Sequence, residues 1–377
     1  MAGPWFIVSK PLRAPFRDGS TVLIRDLVTH MPGDRPLIYL GDPTRPLRAV
    51  ADTVLDHPAM GYSPGLLAKL RVLFALLHPR RRRSPVQLCF TPNPITSRAV
   101  ALLRWSQPRR VLVQVLMSAH GCESWVSLLR PLDAIVVLSD HTRQRLIGAG
   151  VAPDKLHRIY PAVAAVGADA PEQVAARRNL LYAGDLDLEV AARLIAVARA
   201  LDRPSLAGWT LTIACRPKSD TDAVARELLR RELAPDLTRG RVRLLAEVDD
   251  MDALLRGAAV QLYAADHVRR KVDLPLVLLE GLARGVPVVT VDADPVRELF
   301  VVGARTGLVP GALAPTDPEG FARVVADACD PGSLIAASAA AAALATREFS
   351  LDRLVRCYVA LHDALEPPDV RAGPSSR

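Results

Sequence analysis

One carboxylate lies in the middle of a short apolar segment in the second half of the chain. Glu280 is surrounded by the aliphatic side chains of residues 276–282, and Pro275 precedes them. Burying a carboxylate is unfavourable unless several donors satisfy it. Two adjacent ribose hydroxyls would do so, because each donates a hydrogen bond to the charged group. The alternative is that Glu280 pairs with a neighbouring arginine or caps a loop.

A helix must position this carboxylate. Proline suits the first turn of a helix, and Gly285 followed by Pro287 is typical of a helix end, so a helix is predicted over Leu276–Ala283. The free amides of Leu276 and Val277 then form a helix N-terminus, which is an anion site suited to a diphosphate. The segment therefore predicts places for both the ribose and the diphosphate of a nucleotide.

Short apolar runs alternate with helical patterns along the whole chain, which predicts parallel, doubly wound sheets. The predicted strands are Trp5–Ser9, Pro36–Leu40, Val86–Phe90, Val111–Leu116, Ala134–Leu138, Asn179–Ala183, Trp209–Cys215, Val242–Leu245, Val260–Tyr263, Pro287–Val291 and Gly307–Val309. The other predicted helices are Thr21–Thr29, Gly65–Leu77, Glu189–Leu201, Asp220–Leu233, Met251–Leu255 and a last helical region from Pro318 to Ala364. Such sheets bind ligands at the carboxyl ends of their strands, so two of them face to face would enclose a cleft.

The chain has 377 residues, enough for two domains of ordinary size. We expect an N-terminal Rossmann-like domain over residues 1–162 and a C-terminal one over 179–345, joined by a linker over 163–178. A terminal helix over 346–366 is expected to pack back towards the N-terminal domain, and residues 367–377 are expected to be a disordered tail.

The amino-acid composition limits the kinds of partner and the cellular compartment that can be expected. The formal net charge of +8 comes with no recurring aromatic–basic pattern, so a nucleic-acid partner is not expected. The five cysteines are scattered and odd in number, which indicates a reducing compartment and offers no metal cage. Residues 1–10 do not read as a secretory signal, and no run approaches the ~18–20 apolar residues of a membrane span. We therefore expect a cytoplasmic protein.

The sequence from Lys271 to Val289 closely resembles the signature of retaining GT-B glycosyltransferases of the large family four, the glycogen-synthase-like and mannosyltransferase-like enzymes. The resemblance continues through 290–292, 295–299 and 307–309. It covers about half of the chain well and the N-terminal half more loosely. It implies two Rossmann-like α/β domains, the first binding the acceptor and the second binding a nucleotide-sugar, with the donor in the cleft between them.

The resemblance also implies roles for individual residues. A glutamate at the position of Glu280 holds the nucleotide ribose in that family. The family's second common acidic residue falls on Val272 here, so Asp273 and Lys271 become the candidates to face the transferred sugar or its phosphates.

The family's diphosphate grip is also altered. Its arginine and lysine after the first strand of the second domain are replaced by the acidic stretch 184–189. We therefore expect the phosphate partners to be Arg216 and Lys218, which follow the next strand; the alternative is that both lie in a solvated surface loop.

Two N-terminal segments carry weaker signals. The loop over 9–21 resembles the family's loop that closes over the sugar-phosphate, with Gly19 allowing close approach and Ser20 or Thr21 capping the helix that follows. A plain strand-to-helix connection would look the same. His120 follows a predicted strand where many related enzymes place a histidine close to the transferred sugar, although a loop histidine is often simply exposed.

The implied reaction is transfer of a hexose from a nucleoside-diphosphate sugar to an acceptor hydroxyl with retention, in cell-surface glycan, glycolipid or natural-product glycosylation. No metal or other cofactor is expected; Asp185 and Asp187 form a notable Asp-x-Asp match beside a strand. A sugar-nucleotide epimerase or phosphorylase on the same architecture is one alternative, because fold does not fix chemistry. A non-catalytic relative that acts as an interaction partner is the other.

One basic segment suggests a further partner. The apolar helix ending at Leu77 is followed by four consecutive arginines, Arg80 to Arg83. Such a patch attracts anionic lipid head groups, which predicts a peripheral location at the inner face of a membrane. A packed core helix followed by a solvated basic loop is the alternative.

Overall fold

The computed structural model describes residues 3–16, 18–50, 52–56, 66–118, 120–167, 169–216, 219–268 and 272–366, and the chain forms two compact units. Unit 1 comprises Met1–Pro161, Arg269–Asp273 and Leu351–Arg377. Unit 2 comprises Ala162–Val268 and Leu274–Ser350. The predicted linker over 163–178 belongs to unit 2 and contains a short helix.

The strands are β1 Trp5–Leu12, β2 Leu37–Gly41, β3 Thr53–Asp56, β4 Val86–Leu88, β5 Leu112–Leu116, β6 Ala134–Val137, β7 Leu156–Arg158, β8 Asn179–Ala183, β9 Thr210–Ala214, β10 Val242–Leu245, β11 Val260–Tyr263, β12 Val288–Val291 and β13 Gly311–Ala314. The helices are α1 Gly19–His30, α2 Leu66–Leu77, α3 Pro94–Ser106, α4 Val126–Leu129, α5 Asp140–Gly148, α6 Pro171–Ala176, α7 Leu188–Ala200, α8 Asp220–Glu232, α9 Ala234–Thr238, α10 Met251–Arg256, α11 Leu276–Ala283, α12 Glu298–Thr306, α13 Pro318–Ala328, α14 Pro331–Glu348 and α15 Leu351–Leu365.

Unit 1 is built on a seven-stranded parallel sheet with the order β3-β2-β1-β4-β5-β6-β7. The strand order reverses between β1 and β4, so the ligand-binding point of this sheet lies at the carboxyl ends of those two strands. Helix α15 joins this unit through His362, whose ring stacks on Trp5 with 3.5 Å between ring centroids. Burial lowers the pKa of His362 to about 3, so this imidazole is neutral inside the core.

Unit 2 is built on a six-stranded parallel sheet with the order β10-β9-β8-β11-β12-β13. Its order reverses between β8 and β11, which repeats the plan of unit 1. The central strands are buried on both faces, as the continuous aliphatic runs predicted. Both sheets confirm the prediction of two doubly wound α/β domains.

Most predicted elements are confirmed, but one predicted strand was wrong and several elements were not predicted, among them helices α3 Pro94–Ser106 and α12 Glu298–Thr306. Gly307–Val309 is not a strand: Gly307 ends α12 in a left-handed conformation with φ of 71°, and the strand begins only at Gly311. The short strands Thr53–Asp56 and Leu156–Arg158 escaped prediction because three or four residues carry little periodicity. The last helical region is divided into α13, α14 and α15.

Among the described residues, no single helix has the length and apolar composition to cross a membrane. The pair α13 and α14, bent by 88°, satisfies the length and composition criterion only when taken together.

Candidate functional site

The reversal of strand order in unit 2 brings two chain segments together at one edge of the sheet. Residues 184–187 follow β8, and residues 264–268 follow β11, which pairs with β8 in parallel. Because ligands of open α/β sheets bind outside the carboxyl ends of strands at such a reversal, this edge is the candidate site of unit 2.

Helix α11 begins at this edge without a side-chain cap. Pro275 occupies the N-cap position, and its carbonyl accepts hydrogen bonds from Leu278 at 2.9 Å and from Leu279 at 3.4 Å. The amides of Leu276 and Val277 precede those intrahelical bonds, so they belong to the set of donors that a helix N-terminus presents to an anion. The predicted bounds of this helix, Leu276–Ala283, are confirmed.

Six of the eight residues of α11 are buried, and the half-buried exceptions are Val277 and Glu280. Residues three and four apart share a helix face, so Glu280 lies one turn beyond Leu276 and Val277 on the same side. The backbone carbonyl of Glu280 accepts a 2.6 Å hydrogen bond from Arg284, which ties down the end of the helix. The helix thus presents a carboxylate and uncapped amides on its half-buried side.

A buried glutamine fixes α11 against the sheet. Gln261 on β11 is fully buried and its Nε2 donates a 2.9 Å hydrogen bond to the carbonyl of Val277. Its Oε1 lies so close to Gly281 that a Cβ there would come within 2.2 Å. Gln261 therefore sets both the depth of α11 and the requirement for glycine at position 281. A polar residue inside the apolar run 260–263 was the sequence signal for this contact.

The loop after β8 is shaped by Tyr182. The hydroxyl of this buried tyrosine donates a hydrogen bond to the carbonyl of Asp185. A Cβ on Gly184 would lie 2.8 Å from the hydroxyl oxygen of Tyr182, so a side chain at position 184 would clash with it. Burial raises the pKa of Tyr182 well above its usual value, so the phenol keeps its proton and remains the donor.

The Asp-x-Asp pair in this loop has structural partners. Asp187 caps α7 by accepting a 2.9 Å hydrogen bond from the amide of Val190, and its other oxygen lies 3.2 Å from Nε2 of His267. His267 belongs to the loop after β11, so Asp187 joins the two segments of the candidate site. Among the described residues, no group of three or more His, Cys, Asp or Glu is arranged to hold a metal ion.

Arg193 is a functional candidate that sequence reasoning missed. It is 4% exposed on α7 and donates to the carbonyls of Ala264, at 2.7 Å, and Thr316, at 2.6 Å. A 3.5 Å ion pair with Asp266 completes its contacts with the loop after β11. An arginine within the apolar run of α7 was the available signal, because a buried guanidinium needs several acceptors. It positions the start of the loop after β11.

The expected phosphate partners follow β9, the neighbour of β8. Arg216 is exposed at the carboxyl end of this strand, on the same edge of the sheet as the start of α11. Lys218 lies outside the described residues.

Asp273 is held inside unit 1. This carboxylate is fully buried, and one oxygen accepts hydrogen bonds from the hydroxyls of Ser139, at 2.6 Å, and Thr142. Ser139 also caps α5 by accepting from the amide of Thr142, so Asp273 sits at a helix N-terminus, where a negative charge is favoured. The amide of Asp273 donates a 3.1 Å hydrogen bond to the carbonyl of Met117. These contacts fix the residue firmly; a catalytic role for it stays a prediction.

His120 lies in the loop after β5, three residues beyond Met117. Its side chain is exposed, and its amide donates a 3.2 Å hydrogen bond to Ser118. Lys271, the third residue predicted to face the sugar, lies outside the described residues.

Gly19 is the first residue of α1, at the reversal point of unit 1. The cap of this helix is Asp18, which accepts a 3.0 Å bond from the amide of Thr21 and bonds from the hydroxyls of Ser20 and Thr21. The prediction that Ser20 or Thr21 caps the helix was therefore wrong, because both hydroxyls act as donors to the carboxylate. Burial opposes ionisation, but these bonds and Lys10 at 3.4 Å hold the pKa of Asp18 below its usual value.

Residues 177–330 match the family model described as "Glycosyl transferases group 1". No curated protein matches the sequence.

Solved structures resemble the chain over nearly its whole length. HepE from Anabaena, crystallised with UDP and glucose, is 15% identical with a TM-score of 0.68, covering 95% of this chain and 99% of that one. Sucrose-phosphate synthase from Thermosynechococcus elongatus is 15% identical with a TM-score of 0.71, covering 96% and 98%. A glycosyltransferase from Rickettsia africae is 12% identical with a TM-score of 0.71, covering 96% and 98%. The fold is therefore that of the two-domain GT-B proteins.

Proposed function

We propose that this chain, a glycosyltransferase whose residues 177–330 belong to group 1, moves a hexose from a nucleoside-diphosphate sugar to an acceptor hydroxyl. The observation that carries the proposal is helix α11. It offers uncapped amides at its start and a half-buried carboxylate one turn later, both at the reversal point of the unit 2 sheet.

The donor nucleotide would bind along this helix. Glu280 accepts hydrogen bonds from the two ribose hydroxyls, and a charged acceptor makes such bonds stronger than neutral ones. The amides of Leu276 and Val277 meet the diphosphate. Arg216 at the end of β9, together with Lys218, supplies positive charge to the same group.

The protein would accelerate transfer chiefly by positioning the reactants and stabilising the departing diphosphate. Retention of the anomeric configuration, and contacts of His120, Asp273 and Lys271 with the transferred sugar, are parts of this proposal that come from the family resemblance. So is the assignment of the reaction to the cytoplasm, in glycan, glycolipid or natural-product glycosylation.

The structural neighbours suggest the first donor to test. HepE was crystallised with UDP-glucose, and an alpha,alpha-trehalose-phosphate synthase with 14% identity is UDP-forming. We therefore propose a uridine donor as the first choice in a thermal-shift panel of UDP-, GDP-, ADP- and TDP-sugars. Ligand that binds the folded protein raises its melting temperature, so one base should stand out.

Replacing Glu280 with Gln tests the ribose contact. The amide keeps the size of the side chain but loses the charge and one acceptor oxygen. A hydrogen bond to a charged group contributes about 1.5–3 kcal/mol, so affinity for the preferred nucleoside diphosphate should fall by about tenfold to a hundredfold in calorimetry. Turnover of the donor should fall with it.

The matched control is Glu172→Gln, an exposed carboxylate on α6 in the same unit. It should leave nucleotide affinity unchanged. Unaltered affinity and turnover in Glu280→Gln would remove the basis of the proposal.

The alternatives give different results in an assay with the donor. A sugar-nucleotide epimerase converts the donor without an acceptor, whereas a transferase releases nucleoside diphosphate in step with acceptor glycosylation. A non-catalytic relative that acts as an interaction partner would release nothing, and no base would stand out in its thermal-shift panel. Chromatography of the donor with and without a panel of acceptors distinguishes the three.

The site is proposed to work without a metal ion, with helix amides and basic side chains stabilising the leaving group. Turnover should therefore be unchanged by excess EDTA. Loss of turnover with EDTA that magnesium restores would show that this account of the leaving group is wrong.

A further inference from the structure

Helix α2 shows apolar side chains on its outer side. Leu67, Leu70 and Phe74 are 78%, 38% and 69% exposed, and their spacing of three and four residues places them on one face. The opposite side of the helix is used in packing, since Leu76 and the partly buried Leu73 belong to the core of unit 1. The helix is thus apolar towards solvent as well as towards the core.

Helix α3, which contacts α2, repeats this arrangement. Ile95, Leu102 and Trp105 are 57%, 41% and 82% exposed on one face, while Val100 and Leu103 pack into the same core as α2. We call the six exposed apolar residues of the two helices the α2–α3 face. The other exposed large apolar residues of the described chain lie in unit 2, at separate positions: Leu188, Val224, Val301, Val309 and Ile335.

Positive charge is concentrated on the same segment. Residues 57–122 contain ten basic and no acidic residues, so the rest of the chain, with 38 basic and 40 acidic residues, has a net charge of −2. Two of the ten, Arg71 and Arg98, are exposed on α2 and α3 themselves. The net positive charge of the protein therefore comes from the segment that carries the α2–α3 face.

Further exposed arginines gather at the carboxyl ends of the two helices: Arg80, Arg82, Arg83 and Arg109. The buried guanidinium of Arg110 brings these ends together, because it donates to the carbonyls of Leu76, at 2.6 Å, and Ser84, at 2.7 Å. The connection after α2 and the connection after α3 thus form one basic cluster beside Trp105.

We propose that the α2–α3 face is a membrane-binding surface that lies flat on an anionic lipid bilayer. The exposed leucines, phenylalanine and tryptophan enter the boundary between head groups and acyl chains, and the arginines bind the anionic head groups. Exposed apolar patches of this kind mark interaction sites, and tryptophan is favoured at the membrane interface. Anionic lipid matches both features, because a bilayer supplies an apolar layer and negative charge in one plane.

Vesicle co-sedimentation of the full chain tests the proposal without any donor or turnover, so its result is independent of the proposed function. Binding to vesicles of phosphatidylglycerol and phosphatidylcholine should be strong, and binding to phosphatidylcholine alone weak. Each basic residue near the surface contributes about fivefold in binding, so the double variant R82S/R83S should bind about 25-fold more weakly. The variant F74S/W105S should also lose most of its binding.

Matched control variants lie in unit 2. Leu188 is 50% exposed, and Arg230 and Arg231 have exposed side chains, so L188S and R230S/R231S remove similar groups from another surface. They should bind vesicles as the unchanged protein does. All these variants alter exposed residues, and unchanged melting temperatures would show that each remains folded.

Trp105 gives a second readout. The other tryptophans, Trp5, Trp125 and Trp209, are buried or half-buried, so a blue shift of fluorescence on adding anionic vesicles should come from Trp105 and disappear in W105F. Equal binding to neutral and anionic vesicles, or full binding by F74S/W105S, would overturn the proposal. Another outcome would also overturn it: light scattering shows that the protein is a dimer which F74S/W105S dissociates, while the same variant binds vesicles as well as the unchanged protein does.

Discussion

Helices α3 and α11 hold equivalent places in their units, yet they present opposite features. Each follows the strand just beyond the reversal of strand order, β4 in unit 1 and β11 in unit 2. The start of α3 is closed by a capping box in which Asn93 and Thr96 exchange side-chain and backbone hydrogen bonds. The start of α11 has Pro275 and no side-chain cap.

Their outer sides differ as well. α3 exposes Ile95, Leu102 and Trp105, whereas six of the eight residues of α11 are buried and its polar side chain is the half-buried Glu280. One position in a repeated fold can therefore form an exposed surface in one unit and a ligand site in the other. The capping box of α3 occupies the amides that could otherwise bind an anion. The burial of α11 on nearly all sides holds its uncapped amides and Glu280 in position.

The largest expected effect concerns the burial of α11. Gly281→Ala brings a Cβ against Oε1 of Gln261, which is fully buried and cannot turn towards solvent without losing its hydrogen bond to Val277. Overpacking of this kind destabilises a core by about 1–3 kcal/mol, so the melting temperature of the protein should fall clearly in calorimetry. Leu102→Ala on the exposed side of α3 should change stability by less than about 0.5 kcal/mol.

A double-mutant cycle isolates the cause. With Gln261→Ala already present, the Gly281→Ala change should be much less destabilising, because the clashing amide is gone. Equal effects in both backgrounds would show that the tight contact does not set the position of α11.

A smaller effect should follow from closing the start of α11. Pro275→Asp supplies a carboxylate cap of the kind that Asp18 gives α1, and that charge would compete with the donor diphosphate. A charge at a helix terminus interacts with the helix dipole by up to ~2 kcal/mol, so affinity for a nucleoside diphosphate should fall by about tenfold in calorimetry. The melting temperature should stay the same or rise, because the new cap stabilises the helix. Pro275→Asn, a cap without charge, should weaken binding less.

The matched change on α3 is the removal of its cap. Asn93→Ala should lower stability by about 1 kcal/mol and leave nucleotide affinity unchanged. If instead Pro275→Asp binds nucleotide normally, the diphosphate does not meet the start of α11, and the contrast between the two helices has no functional meaning.

The sequence predicted the elements whose signals are local. Pro275 and Gly285 bracket α11, and the structure begins and ends the helix as they indicate, with Gly285 at φ of 73°. The failures also have local explanations. Leu308 follows the glycine that ends α12 and its amide bonds to the carbonyl of Gly303, so the apolar residues after Gly307 complete a helix end instead of starting a strand.

Residue types and spacing by themselves determined two doubly wound domains, the bounds of α11 and the place of Glu280 on it, since these depend on periodicity and on the backbone preferences of proline and glycine. Tertiary structure alone decided which polar groups hold that helix and its loop, namely Gln261 and Arg193, and that Asp273 is buried against Ser139. It also decided that the apolar outer sides of α2 and α3 remain exposed next to each other. Such pairings join residues far apart in the chain, and a one-dimensional pattern carries no information about which distant partner a buried donor will meet.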